Sequence, residues 1–259
     1  MIVDLHNHTP LCNHAQGEMQ EYVQKAIDEG THFFGFADHA PMDFDREYRM
    51  KFSDMQKYES DVKKVQKQYQ DKITILLGYE VDYLPNHMDE RVLNADVDYL
   101  IGSVHFLEGW GFDNPEFIGR WEEQNIDEIW QKYFDTIEAM AKTGYFDIVG
   151  HLDLIKIFKF IPQGNINTMA EKALQAIKKA DMVLELNIAG YRKDVQEAYP
   201  SPTLLKQAYK LGIPITFSSD AHKSEQVALF NEEIVKMAKE IGYTECAYFI
   251  KRQRHMIAF

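Results

Sequence analysis

Two histidines separated by one asparagine, His6-Asn7-His8, follow the alternating run Ile2-Val3-Asp4-Leu5. Side chains of an extended segment repeat every second residue, so both imidazoles leave the same face. Two nitrogen donors on one strand end begin a metal site. The same spacing returns in Asp220-Ala221-His222, which offers a carboxylate and an imidazole. The chain holds ten histidines. Seven of them, His6, His8, His14, His39, His105, His151 and His222, lie at or just past the ends of strand-like runs, whereas His32, His87 and His255 do not. Unrelated histidines would not recur at one edge of a sheet. Glu80 ends a strongly apolar run, where an unpaired carboxylate is costly to bury, and a bridging position between two cations would relieve that cost.

These residues need elements to position them. Strand-like runs cover Ile2–His6, Phe33–Asp38, Ile73–Val81, Tyr99–Val104, Asp147–Gly150, Val183–Asn187 and Pro214–Ser219. Most are short and continuously apolar, as strands buried on both faces of a parallel sheet are. Helical patterns lie between them. Met19, Tyr22, Val23, Ala26 and Ile27 form one stripe before Gly30. Ser53 with Gln56, Asn125 with Glu128 and Thr168 with Glu171 read as helix starts, and Ser201-Pro202 as a cap followed by a first-turn proline. Asn231–Ile241 closes the series, and a helix near His87–Asn94 is weakly signalled. About seven strand–helix units predict either a (β/α) barrel or a long open α/β sheet. The polar residues at the C-terminal ends of nearly every strand favour the barrel, because barrels gather their sites at that rim. An open sheet gathers ligand groups at one switch point.

Composition narrows the function. A length of 259 residues with 45% hydrophobic and 27% charged residues fits a globular chain, read as one domain spanning 1–259. No apolar run approaches the length of a bilayer span, and no basic-then-apolar leader opens the sequence, so the expectation is a cytoplasmic protein without membrane contact. Cys12 and Cys246 lie far apart and suggest no disulfide framework. A net charge of −13 opposes binding to a nucleic-acid backbone. It also repels phosphorylated substrates unless local cations reverse the field, which bound metals would do.

The ordered set His6-Asn7-His8, Asp38-His39, Gly78-Tyr79-Glu80, Ser103-Val104-His105, Gly150-His151-Leu152-Asp153 and Ser219-Asp220-Ala221-His222 resembles the motifs of the polymerase-and-histidinol-phosphatase (PHP) superfamily. The segments Thr9–Ala15, Ala37–Pro41, Leu184–Gly190 and Glu197–Ser201 resemble its histidinol-phosphate phosphatase branch. The resemblance implies a distorted (β/α)7 TIM-like barrel whose rim carries three divalent or transition-metal ions, Zn, Mn or Fe. It implies that His6, His8, Glu80 and Asp220 hold the first ion. Glu80 then bridges to a second ion, completed by His105 and His151, while His14, His39 and His222 hold the third. The implied reaction is hydrolysis of a small phosphomonoester, L-histidinol phosphate, in histidine biosynthesis.

Metals lower the pKa of bound water to roughly 7 and clamp phosphoryl oxygens. Glu80 is then the central bridge, Asp220 the first candidate for moving the proton, and His222 a weaker one. Arg192 offers a bidentate fork to phosphate. Lys156 stands where the family pattern leads one to expect arginine and offers charge without the fork. Glu185, Asn187 and Glu197 are candidate contacts to a cationic or imidazole-bearing substrate. Asp38 and Asp153 read equally as carboxylates that orient ligand histidines and as turn residues. Cys12 reads as a small packed residue. Trp110, Phe112, Phe117 and Trp121 mark the segment after His105 as a lid or a cover over the barrel mouth. Two other readings remain at this point: a PHP-type exonuclease or phosphoesterase acting on another ester, and a non-catalytic metal-dependent sensor or binding protein.

Overall fold

The apolar runs form one sheet of seven parallel strands in a computed structural model describing residues 1–259. The strands are β1 (Val3–Asp4), β2 (Phe33–His39), β3 (Thr74–Asp82), β4 (Tyr99–Ser103), β5 (Ile148–Val149), β6 (Val183–Asn187) and β7 (Ile215–Ser218). Each pairs with its neighbour in sequence. Helices connect them: α1 (Met19–Asp28), α2 (Met55–Tyr69), α3 (Glu90–Leu93), α4 (Ile126–Lys142), α5 (Ile166–Lys179), α6 (Pro202–Lys210) and α7 (Asn231–Ile241). The sheet closes where the first strand meets the last. Leu5 N–H donates to Phe217 O at 3.1 Å, Asp220 N–H to His6 O at 2.7 Å, and His8 N–H to Ala221 O at 2.9 Å. The molecule is a distorted (β/α)7 barrel, as the rim pattern predicts.

Strand boundaries agree with the apolar runs to within a residue or two, and β1 and β5 are the shortest. Side chains take over the backbone groups there. Asn7 Nδ2 donates to Gly35 O, and His151 N–H donates to Glu185 Oε2 instead of to a neighbouring strand. Tyr99 fills the barrel axis and donates its hydroxyl to Leu5 O at 2.6 Å. A Cβ on Gly35 would sit 2.0 Å from that oxygen, and one on Gly78 2.5 Å from the ring, so both positions require glycine.

Helix starts shift where another cap wins. Helix α5 begins at Ile166, because Asn165 rather than Thr168 accepts the first free N–H. Ser53 lies in a short 3-10 turn leading into α2. The weakly signalled helix is a single turn capped by Asp89.

The C-terminal hairpin of β8 (Glu245–Ile250) and β9 (Gln253–Ala258) has no counterpart in the strand reading. Its turn residues, Lys251 and Arg252, both have positive φ, the conformation for which Asn-Gly is the usual signal. Tertiary bonds hold this turn instead. Both N–H groups reach Asp98, and the Arg252 guanidinium reaches Asp147 Oδ2 at 2.5 Å and Tyr145 O at 2.6 Å. Arg254 pairs with Asp181 at 3.0 Å. Asp98, Asp147 and Asp181 precede β4, β5 and β6, so the hairpin covers the end of the barrel away from the rim.

Candidate metal and active site

Five of the seven rim histidines converge on Glu80. Its Oε2 lies 3.3 Å from His6 Nε2, 3.8 Å from His8 Nε2 and 2.9 Å from His39 Nδ1. Its Oε1 lies 3.0 Å from His151 Nε2 and 3.6 Å from His105 Nε2. Three groups place their donor atoms within 4.8 Å of one another: His6, His8 and Glu80; Glu80, His105 and His151; and His14, His39 and His222. Asp220 joins the first group, with Oδ1 3.2 Å from His8 Nε2. Its φ of 49° is left-handed, a strained state for a side chain with a Cβ. That state is locked by its N–H on His6 O and by Arg192 donating to its carbonyl at 2.8 Å.

Five histidines are oriented from behind through Nδ1. His6 is tied to Glu185 Oε1 at 2.6 Å, His105 to Asp82 Oδ1 at 2.5 Å and His8 to Asp38 Oδ1 at 3.3 Å. His14 is tied to Cys12 O at 2.9 Å and His222 to Asp220 O at 3.2 Å. An imidazole that donates from Nδ1 leaves the lone pair on Nε2, so five Nε2 atoms present lone pairs to one cup. His6 Nε2, His8 Nε2, His39 Nδ1 and Glu80 Oε2 are buried and make no hydrogen bond. Each orphan costs roughly 1–3 kcal/mol unless something else occupies it. A divalent cation fits this donor set, since imidazole and carboxylate together suit Zn, Mn and Fe.

Around His6 and Glu80 the local field has the matching sign, whereas burial and neighbouring histidines lower His39 and His222. Burial opposes ionisation of Glu80, yet His39, His6 and His105 hold it well below the usual carboxylate range. Burial lowers His6, but Glu80, Glu185 and Asp220 outweigh it and raise the imidazole well above its ordinary value. A potential that draws protons onto buried imidazoles also draws cations.

A cleft of about 650 Å³ opens over the cup. That volume suits a small metabolite. Glu80, His14, His39, His105, His151, Asp220 and His222 form its floor, and Tyr48, Asp113, Phe117, Arg192 and Lys193 are among its walls. Arg192 donates to Ser219 O and Asp220 O through Nη2, and its Nη1 is buried without a partner. Of the four aromatics after His105, Trp110, Phe112 and Trp121 are buried, and Trp121 stacks on Phe160 at 4.9 Å. Only Phe117 is exposed. The segment is a packed wall carrying one aromatic at the mouth.

The structure places the other expected substrate contacts elsewhere. Lys156 is buried, and its ammonium is taken by Glu197 at 2.6 Å, Ala198 O at 2.8 Å and Asp153 at 2.9 Å. Glu197 therefore faces Lys156 rather than the cleft. Glu185 is fully buried between His6, Ser218 and His151 N–H, and Asn187 bridges Glu185 and Asp220, each at 3.1 Å. Both act on the cup's own residues. Asp153 holds Ser201 N–H at 2.9 Å instead of a histidine. Cys12 is buried as expected, yet its sulfur lies within 4.8 Å of donor atoms of His8 and His222.

Two positioning groups escaped the sequence reading. Asp82 orients His105, and Arg49 donates to its other oxygen at 2.9 Å. The spacing Glu80-Val81-Asp82 repeats the every-second-residue rule of His6 and His8, so this carboxylate was legible. Asp4 accepts from Ser219 N–H at 2.9 Å, Ser219 Oγ at 2.5 Å and Asn7 Nδ2 at 3.0 Å. It clasps the first strand to the end of the last, a contact across 215 residues with no local signal.

Comparison with known proteins agrees with this geometry. The model of the family described as "PHP domain" matches residues 4–189. The "Probable histidinol-phosphatase" of Deinococcus radiodurans is 39% identical, over 93% of this chain and 94% of its own. The "Histidinol-phosphatase" of Bacillus subtilis is 27% identical, over 90% and 98%. Among solved structures, histidinol phosphate phosphatase of Lactococcus lactis, complexed with Zn, L-histidinol and phosphate, superposes with a TM-score of 0.80. That neighbour is 21% identical, over 98% of each chain, and its likeness bears on the fold. The chain belongs to the PHP domain family, in its histidinol-phosphatase branch.

Proposed function

We propose that this protein is a metal-dependent phosphomonoesterase that converts L-histidinol phosphate and water to L-histidinol and phosphate in histidine biosynthesis. One observation carries the reading: His6, His8 and His105, tied back through Nδ1, aim their other nitrogens at one buried glutamate, under a cleft of metabolite size. The names of the Deinococcus and Bacillus relatives support the substrate, and the ligands of the Lactococcus neighbour support zinc as one resident ion.

Three ions are assigned to the three groups: His6, His8, Glu80 and Asp220; Glu80, His105 and His151; His14, His39 and His222. When bound, they supply Lewis acidity that makes water a nucleophile near neutral pH and offsets phosphoryl charge. The chain does the rest. Glu185, Asp82 and Asp38 hold their histidines in the productive tautomer. Arg192, anchored through Nη2, presents Nη1 to a phosphoryl oxygen. Asp220 stands at the edge of the cup, steered by Asn187, and its carboxylate takes the proton released by water and returns it to the leaving alkoxide. Lys156 binds no phosphate.

Purified protein loaded with Mn, Zn or Fe should release phosphate from histidinol phosphate far faster than from sugar phosphates. Equal turnover of all these esters would leave phosphatase chemistry standing and reject the substrate.

A further inference from the structure

The walls of the cleft carry opposite charge. Arg192 and Lys193 follow β6. Asp45 follows β2, while Asp113 and Glu116 follow β4. In the closed ring of seven strands the loop after β4 is separated from the loop after β6 by the β5 loop, and both loops line the same cleft. The acidic residues are not equivalent. Asp45 is engaged by Arg49 at 3.0 Å, and Glu116 is exposed on a turn. Arg49 is in turn saturated by Asp45 and Asp82, so it brings no free positive charge to that wall.

Asp113 differs. It lines the cleft and, unlike Asp82 and Asp45, forms no ion pair with the protein. Its mount is rigid. Phe112 N–H donates to His105 O, and the Phe112 ring is buried at 5.4 Å from Tyr133. Burial raises the Asp113 carboxyl, so standing unpaired in the wall is unfavourable for the protein alone. A cationic ligand group would offset that cost.

On the phosphomonoesterase reading above, we infer that Asp113 is the specificity residue that receives the positively charged end of the substrate, a protonated amine or imidazolium, while Arg192, elsewhere in the same cleft, takes the phosphoryl end. A carboxylate in the cleft wall attracts an ammonium or imidazolium tail, repels an anionic one and gives a neutral one no ion pair, which lets a chain of charge −13 select among phosphate esters.

The test compares wild type, Asp113→Asn and Asp113→Glu, all metal-loaded and of verified metal content. Each is assayed on histidinol phosphate and on p-nitrophenyl phosphate, which has no cation, with L-histidinol and inorganic phosphate as inhibitors. Losing one charge-assisted contact should raise the Asp113→Asn KM for histidinol phosphate and Ki for L-histidinol roughly ten- to a hundredfold. The phosphate Ki and the p-nitrophenyl phosphate kcat/KM should stay within about a factor of two, and Asp113→Glu, which keeps the charge, should keep most of the preference. Parallel losses on both esters, or no change on either, would overturn the inference. Wild-type enzyme that cleaves p-nitrophenyl phosphate but neither cleaves histidinol phosphate nor binds L-histidinol would instead overturn the substrate assignment.

Discussion

His14 Nε2 and His222 Nε2 face each other at 3.0 Å, and each ring is turned by its Nδ1 bonding a backbone carbonyl. Both facing atoms then carry lone pairs, which repel unless a cation or a proton sits between them. Stripping metal with a chelator should therefore destabilise the fold. An ion present at about 100 times its Kd contributes roughly 2.7 kcal/mol, or on the order of 5–10 °C in Tm for a chain of this size. Thermal melts with and without chelator read this directly, and an unchanged Tm would count against an occupied cup.

Glu80 touches more of the rim histidines than any other carboxylate. Glu80→Gln should abolish turnover and reduce bound metal, while His32→Gln, on the exposed side of the barrel, should do neither. Metal analysis and phosphate release on the same samples check both. Full turnover by the Glu80 variant would sink the proposed bridge.

Asp82 and Glu185 act through His105 and His6. Asp82→Asn and Glu185→Gln keep the shape of each side chain but weaken its hold on Nδ1. Each should lower metal affinity by roughly 10- to 100-fold. Chelator competition measures the affinity. A loss confined to activity at saturating metal would show that these carboxylates do something other than orient their histidines.

Lys156 is clamped among Glu197, Asp153 and Ala198 O. Replacing it with Met strands a buried carboxylate and should cost about 3–5 kcal/mol in stability. The Ki for inorganic phosphate should not move. A weakened phosphate Ki in folded, metal-replete protein would return this lysine to the substrate.

Arg252 tests the other end of the barrel. It is about one-third exposed, and its partner Asp147 less so. Arg252→Ala should cost about 1–2 kcal/mol, after allowance for solvent screening, and leave kcat/KM unchanged. Denaturant titration beside a steady-state assay separates the two effects.

The strand run, the barrel and the gathering of seven histidines in one rim cup were legible because period and rim position are local properties of sequence. Asp82 was legible by the same rule and was missed. Misplaced residues share one cause. Glu185 and Asn187 sit on β6 facing inward, and whether an inward carboxylate meets substrate or a histidine depends on a partner far along the chain. For Glu185 and His6 that separation is 179 residues. For Lys156 a family pattern supplies a position but not the two acids, Asp153 and Glu197, that take its ammonium. The C-terminal hairpin escaped because its turn is held by Asp98 and Asp147 and not by turn-forming residues.

The clasp of Asp4 on Ser219 has a consequence for biogenesis. Chains emerge from the ribosome N-terminal end first. His6 and His8 emerge well before Asp220 and His222 and before the strand that closes the ring beside them. A nascent chain thus exposes isolated imidazoles without a finished chelating pocket, and cation loading waits for Asp220 and His222 to emerge.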